Sequence, residues 1–252
     1  PHATSELWAQ ELRLASNGEG PFQWTVGAFY KKSERLDERN FSFFLENAFG
    51  IPGFDLMDVS STRNTSDAKS YSFFGEVDYA FAPQWSVQVG VRYYSDDRDY
   101  RFLQLTNSVV FGATAGTTLH AKGKDTDVSP KVSVQWKPSD TVQLFARASK
   151  GFRSGGTNSD SERSALVPPD FSAEKLWSYE VGAKTSLRPG LIANVGVYYN
   201  DWTSLQLPFI TPDGLFPFTA NAGKARSIGG EFELQAQLPV EGLTTTLGFA
   251  YT

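Results

Sequence analysis

The sequence predicts an all-β chain, an antiparallel wall of a transmembrane β-barrel, and three observations carry that expectation. About ten short runs alternate apolar and polar residues with the period of two that a two-faced strand imposes. The connections between them alternate strictly between very short and very long. Aromatic residues collect at the ends of the runs, with Val, Ala and Leu between them. The run 85–96 shows the pattern: Trp85, Val87, Val89, Val91 and Tyr93 share one face, Ser86, Gln88, Gly90, Arg92 and Tyr94 the other. A strand crossing an outer membrane needs about 9–11 residues at a tilt, with aromatics where it meets each interface. This run meets both requirements.

The first hairpin falls at 5–15 and 22–32, reversed by Ser16-Asn17-Gly18-Glu19-Gly20-Pro21, whose Gly, Asn and Pro suit a turn. It directs Trp8, Leu12, Leu14, Phe22, Trp24, Val26, Ala28 and Tyr30 outward. A long segment, 33–69, leads to a strand at 70–81, which turns through Ala82-Pro83-Gln84 into 85–96. A second, 97–125, leads to 127–136, and Lys137-Pro138-Ser139-Asp140 returns the chain along 141–152. A third, 155–175, precedes 176–187, the Arg188-Pro189-Gly190 turn and 191–202. A fourth, 203–222, precedes 224–238, the Pro239-Val240-Glu241-Gly242 turn and 243–252.

Outer-membrane barrels keep short turns on the periplasmic side and long loops outside, which orients the wall. Phe22, Trp24, Phe81, Trp85 and Trp136 then form an inner belt and Tyr30, Tyr71, Tyr93, Trp177 and Tyr199 an outer one. The opposite face carries Glu11, Arg13, Glu76, Asp78, Gln88, Arg92, Lys131, Gln143, Arg147, Glu180, Lys184, Glu231 and Glu233. A narrow barrel would crowd these charges, whereas a wide lumen hydrates them or pairs them with a plug. Most are expected to be structural partners.

Bulk properties narrow the function classes. Mean hydropathy is −0.33, and no apolar run approaches the roughly 20 residues of a spanning helix, although barrel strands escape such a scan. Cysteine is absent, so thiolate metal sites and disulfides are excluded. A net charge of −5 disfavours nucleic acid as a partner. His2 and His120 are the only imidazoles, far apart in the chain, and no cofactor is called for.

The stretch 127–158, DVSPKVSVQWKPSDTVQLFARASKGFRSGGTN, resembles the barrel of TonB-dependent outer-membrane receptors. Further segments match that family in the same order: QELRLAS with WTVGAFY at 10–30, FFGEVDYAF at 73–81, VGVRYYSDDRDY at 89–100, EKLWSYEVGAKTSL at 174–187 and NAGKARSIGGEFEL at 221–234. The resemblance implies a bacterial outer-membrane receptor whose barrel of about twenty-two strands surrounds an N-terminal plug. It also implies energised uptake of a scarce nutrient, most often a ferric siderophore, with the TonB complex pulling on the plug. Residues 1–252 then read as an interior portion of the barrel domain, without plug or closing strands.

Candidate ligand residues lie in the loops and lumen. Aromatic clusters at 41–45 and 49–54 supply Phe43, Phe44 and Phe54, and 205–218 supplies Phe209 and Phe216. Such clusters either bind an amphipathic ligand or pack the long loops, and packing is the favoured role. Arg92, Arg147 and Arg153 are the candidate lumenal cations. Gly151-Phe152-Arg153-Ser154-Gly155-Gly156 resembles a phosphate cradle only superficially, because the polar, Pro-ended stretch after it offers no helix. Two rivals require a closed barrel from these strands alone: a passive pore, and a ten-stranded outer-membrane hydrolase using His120 with Asp96, Asp97 or Asp125. Cobalamin or a carbohydrate is the alternative cargo, and outer-membrane lipid surrounds the wall in every version.

Overall fold

The computed structural model describes residues 2–43, 57–108, 112–161 and 164–252. The strands in chain order are β1 (His2–Ala15), β2 (Phe22–Phe43), β3 (Met57–Ala82), β4 (Trp85–Gln104), β5 (Thr118–Ser139) and β6 (Val142–Arg153). They continue with β7 (Gly156–Thr157), β8 (Asp170–Phe171), β9 (Glu174–Arg188), β10 (Leu191–Thr203), β11 (Gln206–Ile210), β12 (Pro217–Asn221), β13 (Lys224–Gln237) and β14 (Thr244–Tyr251). Ten of them form one antiparallel sheet, β1-β2-β3-β4-β5-β6-β9-β10-β13-β14, while β7–β8 and β11–β12 are small hairpins inside two long connections. β1 and β14 are the two edges of the sheet, each paired on one side. The pairing between first and last strands that a closed ten-stranded barrel needs is not formed.

Short turns sit at 83–84, 140–141 and 189–190. Gly190 has φ +77°, and a Cβ there would also lie 2.9 Å from the Gln237 Cβ, so glycine is required twice over. Directly paired residues share a face, so one ladder row can be followed across the sheet: Trp24, Val77, Val89, Val132, Ala148, Tyr179, Tyr199, Ile228. The row is apolar throughout. It begins beside a short turn and ends towards the long connections, which is the stagger that tilted barrel strands produce. Strand tilt is thus written in the register.

The two belts form as expected. Phe22 meets Tyr79, Tyr79 meets Phe81, and Phe81, Trp85 and Trp136 stack in sequence at 6.3 and 5.3 Å between ring centroids. At the other end Trp8 packs on Tyr30, Tyr71 on Phe73 and Tyr93, and Tyr179 on Trp177 and Tyr199. From Trp85 to Tyr93 is about 27 Å of strand, which matches a hydrocarbon band once tilt is allowed for. Among the described residues only Phe102, Val167 and Phe216 are buried apolar side chains, so the sheet has no ordinary core and its apolar face is left for lipid.

The expected strand ends are too short in four places. β2, β4 and β5 contain 22, 20 and 22 residues and β3 contains 26, about twice or more the roughly 9–11 that cross a membrane. Much of 33–69 and 97–125 is therefore paired strand. Outside the bilayer lipid no longer enforces an apolar face, so the alternation stops while the hydrogen-bond ladder continues, even where one face is buried, as at Ser60, Thr62 and Gln104. Above the Lys131–Ser149 pair, β5 parts from β6, and its outer half becomes an edge carrying Lys122, Gly123 and Lys124. Lysines on an edge discourage pairing with a foreign strand.

The register generates a direct test in the full-length protein. Val89→Arg puts a charge near mid-bilayer and is expected to cost about 2–4 kcal/mol, whereas Gln88→Arg faces the lumen beside Glu76 and Asp78 and is tolerated. Urea unfolding in lipid vesicles, read by heat-modified gel mobility, measures both; equal losses would refute the register.

Candidate functional site at the lumenal mouth

The lumenal face is polar because every other residue of each strand is freed from contact with lipid. Its lower part is largely self-paired. Lys131 Nζ lies 2.6 Å from Glu76 Oε2, Gln88 donates to Glu76 at 2.9 Å, Arg147 pairs with Glu180, and Arg13 pairs with Glu11.

Arg92 is held differently. Its guanidinium lies 5.9, 6.0 and 5.9 Å from the ring centroids of Phe29, Phe74 and Tyr94, and no carboxylate stands within ion-pair distance among the described residues. Aromatic faces steady a cation without neutralising it. A cavity of about 330 Å³ opens beside it, lined by Arg92, Tyr94, Ser129, Phe152 and Ser154, where β5 has parted from β6. Nearby, Lys150 is held by Asp127 at 2.5 Å and by the Val128 carbonyl at 3.0 Å.

Above the cavity, side chains bind the connections into one unit. Asp125 accepts from Arg98 at 2.5 Å and from the Gly155 N–H at 2.9 Å, which anchors the glycine-rich stretch to β5. Arg153 donates to Glu174 at 2.6 Å and to the Gln206 carbonyl at 3.1 Å. The Gln206 side chain donates to the carbonyls of Ser154 and Ser172. Asn158 donates to the carbonyls of Pro168 and Thr219 and accepts from the Thr219 N–H at 2.8 Å, while Asn221 donates to those of Ser172 and Ser204. Glycine is needed at the crossing, because a Cβ on Gly155 would lie 2.2 Å from the Phe171 carbonyl and one on Gly156 would lie 2.4 Å from the Phe171 ring. The GFRSGGTN stretch is thus a strand end and a latch.

The other candidates separate. Arg147 and Arg153 are both paired with carboxylates. Phe216 is 5% exposed and packs the β11–β12 hairpin, whereas Phe209, stacked on Phe218 at 5.7 Å, keeps 42% of its surface exposed. Phe43 ends β2 opposite Met57, and Phe44 and Phe54 lie outside the described residues. The hydrolase set does not assemble. His120 shares its face with Arg101 and lies 3.0 and 3.1 Å from the Asp99 oxygens; Asp97, on the same face, pairs with Lys124 at 3.4 Å, while Asp96 and Asp125 point to the opposite face. The His120 hydrogen bond, helped by Arg101, holds the Asp99 carboxyl below the usual range, so it is charged at neutral pH. No group of three or more potential metal ligands occurs among the described residues. Sequence reasoning missed Asn158, Asn221, Gln206 and Glu174, since single amides and a single carboxylate in or beside the long connections carry no periodic signal.

Comparisons place this geometry among known proteins. A family model described as TonB dependent receptor-like, beta-barrel matches residues 3–252. The metal-pseudopaline receptor CntO of Pseudomonas aeruginosa is 26% identical over 191 residues, 75% of this chain and 25% of that protein. The chain thus spans about a quarter of that relative's length. Among solved structures, the ferric yersiniabactin uptake receptor FyuA of Yersinia pestis superposes with TM-score 0.73 at 18% identity, covering 98% of this chain and 35% of that one. The siderophore receptor PiuA of Acinetobacter baumannii gives 0.70 at 16%, covering 99% and 38%.

The latch predicts that Asn158→Ala in the full-length protein makes local opening of both connections easier by about 1–3 kcal/mol. Hydrogen exchange should accelerate at the Thr219 amide and stay unchanged at Val89; unaltered exchange at Thr219 would show that the two connections move separately.

Proposed function

This chain belongs to the TonB-dependent receptor β-barrel family, and from that premise we propose that it forms part of the wall of a receptor that imports a metal chelate, a ferric siderophore first among them. Barrels of this family lie in the bacterial outer membrane. The match over residues 3–252 is the observation that carries the reading. Support for a metal chelate comes from the proteins it resembles, which are receptors for metal-pseudopaline and ferric yersiniabactin and a copper transporter.

On this reading the plug and the remaining strands belong to the same receptor, and the TonB complex supplies energy through the plug. Arg92 is the lumenal cation best placed to meet an anionic chelate, since its aromatic surround leaves the charge available. Arg147 and Arg153 serve the wall and the latch. Phe209 presents the apolar surface an amphipathic ligand needs, while Phe216 supports the hairpin.

Growth under iron limitation on a panel of ferric siderophores tests this, with the parent gene present or deleted and TonB intact or removed. Growth on one chelate should require both. Uptake that persists without TonB would overturn the energised mechanism, and equal growth on every iron source would move the cargo to another metal chelate, cobalamin or a carbohydrate. Arg92→Gln should weaken uptake of the anionic chelate about ten-fold or more, the scale of a lost charged hydrogen bond, and Arg147→Gln should do less.

A further inference from the structure

The turn between β1 and β2, Ser16-Asn17-Gly18-Glu19-Gly20-Pro21, holds the single Asn-Gly pair of the sequence. Turn geometry does not account for the pair. Tight hairpin turns favour Asn-Gly because both residues take positive φ, yet neither Asn17 nor Gly18 does so here. Packing does not account for it either, since a Cβ on Gly18 would meet only the Gly20 nitrogen, at 4.0 Å. Around the pair the turn is firmly clamped. Ser16 donates its N–H to the Trp24 carbonyl at 2.9 Å, and its hydroxyl accepts from the Trp24 N–H at 2.9 Å. The Gln23 side chain accepts from the Ser16 hydroxyl at 2.5 Å and donates to the carbonyls of Gly18 at 2.6 Å and Gly20 at 2.8 Å. Asn17 is left outside this clamp. It is exposed, and among the described residues neither its side-chain amide nor the Gly18 N–H has a hydrogen-bond partner.

An asparagine side-chain carbonyl can close a five-membered ring with the backbone nitrogen of the next residue, and a glycine there has no Cβ to hinder the closure. The ring forms only where both groups are free to move. Among the described residues, the other asparagines that precede Ser or Ala are restrained. Asn107, before Ser108, accepts from the Ala115 N–H at 2.8 Å. Asn158, before Ser159, is held at 2.9, 2.9 and 2.8 Å by the Pro168 and Thr219 carbonyls and the Thr219 N–H. Asn221, before Ala222, is held by Ser172 and Ser204.

We propose that Asn17 is a site of spontaneous deamidation. The Gly18 nitrogen attacks the Asn17 Cγ: a bond forms between them, the bond from Cγ to the side-chain nitrogen breaks, and ammonia leaves with the proton that Gly18 gives up. The cyclic imide then takes up one water. Opening at Cγ gives aspartate, and opening at the backbone carbonyl gives isoaspartate, whose main chain runs through Cβ and Cγ. Either product adds a negative charge at the short-turn end of the wall, the periplasmic side. Isoaspartate also lengthens the chain between residues 16 and 18, which Gln23 grips on both sides, and so loosens the clamp. The site is independent of which nutrient is imported.

The test incubates the full-length protein, folded in detergent or denatured in urea, at mildly alkaline pH and maps its peptides by tandem mass spectrometry, which separates asparagine, aspartate and isoaspartate. Folded protein should accumulate both products at residue 17 while residues 107, 158 and 221 stay intact. Gly18→Ala, for which the turn has room, and Asn17→Gln, whose longer side chain disfavours the ring, should each lose the products over the same incubation. Heat-modified mobility confirms that both variants are folded. An intact Asn17 in folded protein, with conversion only after denaturation, would overturn the proposal, because the clamp would then protect the pair. Conversion of Gly18→Ala at the wild-type rate would overturn attack by the Gly18 nitrogen. Hydrogen exchange at the Trp24 amide should accelerate in the isoaspartate form and not in Asn17→Asp, and equal exchange in the two would overturn the loosening of the clamp.

Discussion

Hydrocarbon offers no hydrogen-bond partners, so every backbone N–H and C=O that crosses it must find one within the protein. The ladder from β1 to β14 answers that requirement for the strands between its two edges, and the remaining features follow from it. Once pairing is fixed, the period of two assigns each side chain to lipid or lumen without further choice. The lipid row from Trp24 to Ile228 and the lumenal partners Glu76, Gln88 and Lys131 are two readings of one register. Slipping any strand by one residue would exchange the two sets, which is why the alternation is strict where the membrane is and lapses where it is not.

That lapse marks the boundary of what could be read in advance. The strands at 85–96 and 191–202 were legible because lipid forces Val and Trp to alternate with Gln, Gly and Asn. The outer parts of β2 to β5 were not, because there no lipid enforces an apolar face, and buried but polar residues such as Ser60 and Thr62 give the paired strand the composition of a loop. There the ladder itself holds the structure, helped by contacts such as Gln104 to Ser60 at 2.9 Å. Strand existence was therefore predictable from side chains, and strand length was not.

The candidate site divides along the same line. Arg92 was identified from parity, but its aromatic surround requires Phe29, Phe74 and Tyr94 to arrive from three strands, which no local pattern encodes. The glycine-rich stretch was recognised as a strand entering a loop. Its function as a latch depends on Asn158 and Asn221 reaching backbone groups in neighbouring connections, with separations of 61 and 49 residues for Thr219 and Ser172. Long-range amide bonds of this kind appear only once the chain is folded.

β3 continues for about 45 Å of strand beyond Tyr71, whereas β6 stops at Arg153, close to the bilayer. The outer surface is therefore uneven: a tall panel of β2 to β5 beside a low cap of two latched hairpins. Seen from outside, the panel is the first part of this wall to be met, and the latched hairpins lie lower beside it, so the two halves of one continuous sheet present their edges at different heights.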